Sequence, residues 1–289
     1  MKGVMHLLHD EKLKKLEEVA VDLREMIINM LAAAGSGHTA GSLGLADVFT
    51  AFYFHILNHQ PKKPNWPDRD RLILSNGHVC PARYAAMAQA GYFPKKNLNT
   101  LRQLGSPLQG HPELHRLPGV ETTSGPLGEG ASQAVGLAYA AKMDKAAWQT
   151  YCILSDAELQ EGQTWEAFMF AAKYKLDNCL FIIDRNNIQV EGTTDEVMPL
   201  EPLKTKLCSF GLHIEECNGN NILNFVEAVG RGLAVRGRPT IIIAHTVPGC
   251  GVTFIENNYE WHGRVPRGAE VEQALNEIKI LREKIKNEH

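Results

Sequence analysis

The sequence predicts an α/β fold with a doubly wound, mainly parallel sheet and helices on both faces. Three observations point to it. Tyr151-Cys152-Ile153-Leu154, Leu180-Phe181-Ile182-Ile183 and Thr240-Ile241-Ile242-Ile243 are short, unbroken apolar runs. Strands without polar alternation are covered on both faces, as parallel strands are. Stretches of helical spacing lie between them, at Thr164 to Lys175 and Leu223 to Val235. Just beyond the first two runs the chain turns sharply polar, where ligands sit in open parallel sheets.

The remaining elements follow in order. Leu13, Leu16, Val19, Leu23, Met26, Ile27 and Met30 recur at helical spacing, with Asp10 placed to cap the start. Gly35 and Gly37 break that pattern. Ala46 to Leu57 reads as a second helix, and Pro61 to Pro67 as a loop. Arg71 to Leu74 is a short strand running into Ser75-Asn76-Gly77-His78. A glycine- and proline-punctuated region, Gly105 to Gly130, precedes an alanine-rich helix from Ala131 to Met143. An amphipathic helix from Glu270 to Lys286 closes the pattern. With no internal repeat or linker, residues 1–289 read as one domain.

Composition narrows the function classes. A net charge of −3 over 289 residues gives no basic face for nucleic acid. No apolar run approaches the ~20 residues of a membrane span, and the start of the chain, with Asp10, Glu11 and Lys12, does not read as a signal peptide. A cytoplasmic location is expected. The six cysteines form no Cys-x-x-Cys pair and read as buried, reduced thiols.

The polar tips carry the chemistry. Ser155-Asp156-Ala157-Glu158 follows one strand, and Asp184-Arg185-Asn186-Asn187-Ile188 follows the next. Asp156 and Asn186 are hard oxygen donors, and a backbone carbonyl in the second turn could supply a third. Such a set suits Mg²⁺ or Ca²⁺ with phosphate oxygens and water completing the shell. The same segments fit a plainer reading, in which Asp156 caps the next helix and Asn186 makes a turn. Separately, four histidines stand beside glycines in loops: Gly37-His38, Gly77-His78, Gly110-His111 and His262-Gly263. A glycine there lets backbone approach a ligand and projects the imidazole without crowding.

These motifs together resemble the transketolases, thiamine-diphosphate enzymes. The resemblance rests on the strand-tip Asp156 and Asn186, on Glu158-Leu159-Gln160-Glu161-Gly162, on the four histidine turns in order, and on Gly125-Pro126-Leu127-Gly128-Glu129-Gly130. It continues through His245-Thr246-Val247-Pro248-Gly249 and covers roughly residues 10–270. The resemblance implies a thiamine-diphosphate-binding fold of the diphosphate type, with the metal held by Asp156, Asn186 and the carbonyl of Ile188. It implies that His78 and His262 contact the diphosphate and that Gly125, Leu127, Ala157 and Glu161 belong to the cofactor region, Leu127 near the thiazolium ring. His38 and His262 would lie near the substrate hydroxyl that loses its proton, and His111 would bond the transferred two-carbon unit. Imidazole suits such proton shuttling because its ordinary pKa lies near neutral pH.

Three departures stand out. Ser155-Asp156-Ala157 replaces the family's Gly-Asp-Gly, Thr39-Ala40 replaces a frequent Pro-Gly, and Glu129 replaces a frequent glutamine. If the turn needed a positive φ at Ala157, the methyl group would strain it by roughly 1 kcal/mol and weaken cofactor binding. The resemblance covers only the diphosphate half of such an enzyme, without pyrimidine-binding and C-terminal domains. It therefore implies the N-terminal subunit of a split transketolase, acting on sugar phosphates with a C-terminal-half partner in a heterotetramer. In that setting Glu161 resembles a glutamate at the subunit interface, and it equally suits a helix N-terminus. The alternatives are a transketolase-like carboligase subunit of a specialised pathway, and a non-catalytic scaffold.

Overall fold

The computed structural model describes residues 8–288. Residues 1–7 and His289, which the one-domain reading includes, lie outside the described residues. In chain order the elements are α1 (Asp10–Ala34), α2 (Ala40–Gly44), α3 (Ala46–Ala51), β1 (Arg71–Leu74), α4 (Cys80–Ala90), α5 (Glu129–Met143), β2 (Thr150–Ser155), α6 (Gly162–Lys173), β3 (Cys179–Arg185), β4 (Ile188–Gln189), β5 (Gly192–Thr193), α7 (Thr194–Val197), α8 (Leu203–Ser209), β6 (His213–Asn218), α9 (Ile222–Ala234), β7 (Thr240–His245) and α10 (Ala269–Glu288). The main sheet runs β1-β2-β3-β7-β6 with every pairing parallel, and β4 and β5 form a small antiparallel ribbon.

The unbroken apolar runs have the expected cause. Tyr151, Ile153, Leu180 and Ile182 pack against helices α1, α3, α4 and α9, while Cys152, Leu154, Phe181 and Ile183 pack against α5, α6 and α8. Alternate side chains face opposite helical layers, so neither set can be polar. Full burial of each large apolar side chain contributes about 1.5–3 kcal/mol. Among the described residues, no helix is long and apolar enough to cross a membrane.

Several expectations are corrected. Asp10 is the first helical residue and not the cap; His9 stands at the cap position and makes no side-chain bond there. Asp10 acts instead on the positive end of the helix dipole. The second helix, expected over Ala46 to Leu57, is two pieces, α3 and a π-helical turn over Phe52–Ile56, and the short helix α2 before it was not expected. Strand β6 escapes sequence reading because its His-Ile-Glu-Glu-Cys-Asn run is polar, as suits an edge strand. Helix α4 escapes it because the residues from Cys80 to Ala88 are all buried, leaving no polar stripe to betray the period. All six cysteines are free, but Cys208 is exposed.

Parallel pairing in register brings the strand tips to one edge: Leu74 sits opposite Ile153, Ser155 opposite Asp184, and Arg185 opposite His245. The loop after β7 is fixed to the helical layer by a buried ion pair. Arg24 in α1 donates to Asp47 in α3 at 2.5 Å and to the carbonyl of Cys250 at 2.9 Å. Asn220 donates to Asp47 and accepts from the Val247 amide, joining both to the sheet. Removing one partner leaves a buried charge uncompensated. Asp47→Ala is therefore expected to destabilise the chain by roughly 3–5 kcal/mol in urea denaturation, and a loss below about 1 kcal/mol would show the pair to be dispensable.

Candidate active site

Four loops from distant parts of the chain deliver their histidines to one place. His38 precedes α2, His78 lies in the turn after β1, His111 lies in the loop before α5, and His262 follows the long connection from β7. The ring centroid of His38 is 5.2 Å from His78, 5.4 Å from His262 and 6.2 Å from His111, and His78 is 4.9 Å from His262. Gly77 is what lets two of these loops meet: a Cβ there would lie 2.7 Å from the Ser124 hydroxyl, 3.0 Å from the Gly125 amide and 3.1 Å from the His111 ring.

All four imidazoles are held below their ordinary pKa. Burial is the main cause for each, and it lowers His38 to about 4, with His262, His111 and Arg102 adding repulsion. His78 falls well below its usual value through burial and its three neighbours, and burial also lowers His111 and His262. The set is therefore neutral at pH 7. This departs from the expectation of imidazoles poised near neutrality, because burial disfavours the charged form of every ring, and neighbouring rings add to it for His38 and His78.

The carboxylates form the floor at the sheet edge. Asp156, completely buried, accepts from Arg185 at 3.0 Å and from the Asn187 amide at 2.8 Å on one oxygen, and from the Ala157 amide on the other. Burial raises its pKa against the pull of these donors. Asn186 donates to Asp184 at 2.9 Å and accepts from the Ile188 amide at 3.0 Å. Asp184 also accepts from the Thr246 hydroxyl, and burial pushes its carboxyl up to about 7. Asp156 is thus no helix cap; Ser155 takes that position. Asn186 does shape its turn, as the plainer reading had it.

The expected site residues fall into two groups. The four histidines come together. Asp156 and the Asn186–Ile188 turn share one edge, joined through the Asn187 amide and not by a hydrogen bond between Asp156 and Asn186. No cluster of three or more His, Cys, Asp or Glu side chains is placed for a metal among the described residues; one carboxylate, one carboxamide and a carbonyl form a set of another kind, and its hard oxygens fit Mg²⁺ or Ca²⁺. Gly125 and Leu127 lie on the turn whose apex Leu127 is 36% exposed. Glu161 stands exposed at the start of α6, without a capping bond. Ala157 has an ordinary negative φ, so the strain proposed for it is absent.

Sequence reading passed over Asn76 and Glu158. Asn76 is fully buried, yet neither its carboxamide oxygen nor its nitrogen has a partner. Nδ1 of His38 and the Ser124 hydroxyl are buried and unpaired as well. Buried polar groups are nearly always satisfied. A cluster of orphans around the imidazoles is what a polar ligand such as a diphosphate would complete. The only advance signal for Asn76 was its place beside Gly77-His78.

Residues 16–283 match the family model described as transketolase, thiamine diphosphate binding domain. The chain is 41% identical over 274 residues to one subunit of the apulose-4-phosphate transketolase of Actinobacillus succinogenes, covering 95% of this chain and 98% of that one. It is 40% identical to a 6-deoxy-6-sulfo-D-fructose transketolase subunit of a Clostridium species, covering 86% of this chain and 90% of that one. The solved transketolase of Campylobacter jejuni is similar with a TM-score of 0.83 at 32% identity, covering 94% of this chain and 48% of that one. The chain thus spans about half the length of that solved relative.

Two outcomes are expected. A histidine kept neutral by the fold binds fewer protons than it does when unfolded, so its contribution to stability is complete above the unfolded pKa near 6.5 and is lost as pH falls toward about 4. Titration of the imidazole protons by NMR is expected to show His38 half-protonated near pH 4, and a midpoint at 6.5 would refute the enclosed ring. Ala157→Gly, which relieves no strain, is expected to lower stability by roughly 0.5–1 kcal/mol. A gain in thermal denaturation would restore the strained reading.

Proposed function

The chain belongs to the transketolase family, in the part of it that binds thiamine diphosphate, and on that premise we propose the N-terminal subunit of a split, metal-dependent transketolase. It moves a two-carbon ketol unit from a ketose to an aldose, together with a partner carrying the pyrimidine-binding half. The observation that carries this reading is the meeting of four imidazoles held neutral by burial, one of them on the loop that leaves β1 at the same sheet edge as the Asp156 strand tip.

Each residue has a part. Asp156, Asn186 and the Ile188 carbonyl would hold Mg²⁺ or Ca²⁺ against the diphosphate. His78, His262, Gly125 and the Ala157 region would hold the diphosphate itself, with the unpaired Asn76 amide available to the same ligand. When bound, thiamine diphosphate supplies the electron sink for breaking a carbon–carbon bond beside a carbonyl. The chain supplies orientation and proton transfer. His38, neutral and with a free Nδ1, accepts the proton of the substrate hydroxyl, with His262 at its side. His111, less enclosed, bonds the hydroxyl of the transferred unit. Leu127 would pack near the thiazolium ring.

The relatives named for apulose-4-phosphate and 6-deoxy-6-sulfo-D-fructose act on sugars bearing a phosphate and a sulfonate, which supports an anionic sugar as substrate here. Both relatives are named as single subunits of their enzymes, which supports a second chain, and a heterotetramer is the assembly we propose. Exposed Glu161 and Leu127 would face that chain. A scaffold role is disfavoured by the retained imidazole ring and buried orphans.

Mixing the chain with a C-terminal-half transketolase subunit, thiamine diphosphate and Mg²⁺ is expected to give ketose cleavage that neither chain gives alone. His38→Ala in that mixture should lower kcat by roughly 10²–10⁴-fold. No heat of cofactor binding and no cleavage in the mixture would support the scaffold instead.

A further inference from the structure

Glu158 has no part in the site as described so far, yet its carboxylate is completely buried, 0% exposed, and bonded to Ser75 before the His78 turn and to Ser155 before Asp156. Each of its two oxygens receives one backbone amide and one serine hydroxyl. Oε1 accepts from the Gly128 amide at 2.8 Å and from the Ser75 hydroxyl. Oε2 accepts from the Ser155 amide at 2.7 Å and the Ser155 hydroxyl at 3.2 Å. Ser75 in turn accepts from the Gly130 amide at 3.1 Å. No cation takes part in these bonds. Burial raises the carboxyl's pKa and the four donors oppose it.

The donors come from three separate segments. Ser75 opens the turn that carries Asn76 and His78. Gly128 ends the turn that carries Gly125 and Leu127, and Gly130 lies in the first turn of α5, which that turn leads into. Ser155 directly precedes Asp156. We infer that Glu158 is a positioning residue, a buried clasp that holds the His78 loop, the Leu127 turn and the Asp156 strand tip in one arrangement before any cofactor arrives.

The Leu127 turn shows why a clasp is needed. Gly128 has φ 81 and packs so closely on α6 that a Cβ would lie 2.9 Å from both the Glu161 Cβ and the Thr164 hydroxyl. Above the turn, the Gln163 side chain donates to the Leu127 carbonyl at 3.0 Å, a bond open to solvent. Water competes for that upper contact. Beneath the turn, no water competes for Glu158, and the amides of Gly128 and Gly130 reach no backbone acceptor among the described bonds. The turn's position relative to Asp156 therefore depends on one carboxylate. Preorganisation of this kind raises ligand affinity by removing the ordering that binding would otherwise have to provide.

Glu158→Gln tests the clasp without changing its size. A carboxamide has only one acceptor oxygen, and either orientation sets its NH2 against a backbone amide of Gly128 or Ser155. The inference rests on the thiamine-diphosphate reading above. In the mixture with the C-terminal-half subunit, Glu158→Gln is expected to weaken thiamine diphosphate binding in calorimetry by about tenfold or more, with kcat at saturating cofactor falling by less. In the chain alone, without cofactor, amide exchange at Gly128 and Gly130 should speed up about tenfold or more while the β2 and β3 amides hold. Ser75→Ala, a smaller change that removes one donor, should shift both readouts the same way by less; it decides the matter if Glu158→Gln does not fold. A merely structural glutamate would lower Tm and speed exchange throughout, leaving the cofactor Kd within about twofold, and that result overturns the clasp. Should the unmutated mixture bind no thiamine diphosphate, the functional reading fails while the exchange measurement still judges the clasp.

Discussion

Three carboxylates, Asp156, Glu158 and Asp184, lie at most 1% exposed at one edge of a parallel sheet, and much of the site follows from satisfying them. A buried carboxylate is destabilising unless donors surround it. Each draws its donors from a different quarter. Asp156 uses Arg185 and two amides, Glu158 two serines and two amides, and Asp184 Thr246 and Asn186. The loops after β1, β2, β3 and β7 are thereby fixed to one another through their polar ends. Only Asp156 among the three has a cation bound to it. The edge carries more negative charge than it neutralises, which supports a place for a divalent ion; burial raises the Asp184 carboxyl, and Asp156 and Glu158 add to that shift.

The imidazoles follow the opposite logic. They are enclosed with one another and with Arg102, so protonating any one of them is opposed by burial and, for His38 and His78, by neighbouring rings. A chamber of neutral imidazoles presents both lone pairs and N–H groups, which suits a ligand rich in hydroxyls. It also makes the proton affinity of the ring dependent on what enters. An anion placed among these rings favours imidazolium, so a diphosphate and an anionic sugar would lift them back toward neutral pH. The poise expected of imidazole would then belong to the loaded site, and the chain without ligand holds these histidines neutral.

The fold was legible because the apolar runs of β2, β3 and β7 have one physical explanation, burial between two helical layers. The edge strand β6 and the all-buried helix α4 were hidden for complementary reasons: one is too polar to announce a strand, the other too apolar to show a period. The histidines could be picked out by their adjacent glycines, since Gly77 does permit the approach of the His111 loop. Their mutual distances could not, since four loops separated by tens of residues meet only through the sheet. Asn76 and Glu158 stayed unassigned because their significance lies in partners absent or gathered from afar, and neither condition leaves a mark on local sequence.

The Ser155-Asp156-Ala157 tip bears on whether the site is still in use. A decayed site would be expected to relax around its departures, and this one is consolidated around them. The Ser155 hydroxyl supplies a bond to Glu158 that a glycine could not, and Ala157 adopts its turn without strain while its amide serves Asp156. Meanwhile Asn76, His38 and Ser124 keep buried polar atoms without partners. Each such atom left unpaired costs about 1–3 kcal/mol of stability. A protein with no ligand to place there gains by replacing them with apolar groups. Their gathering beside one group of imidazoles supports a polar ligand as the partner they lack.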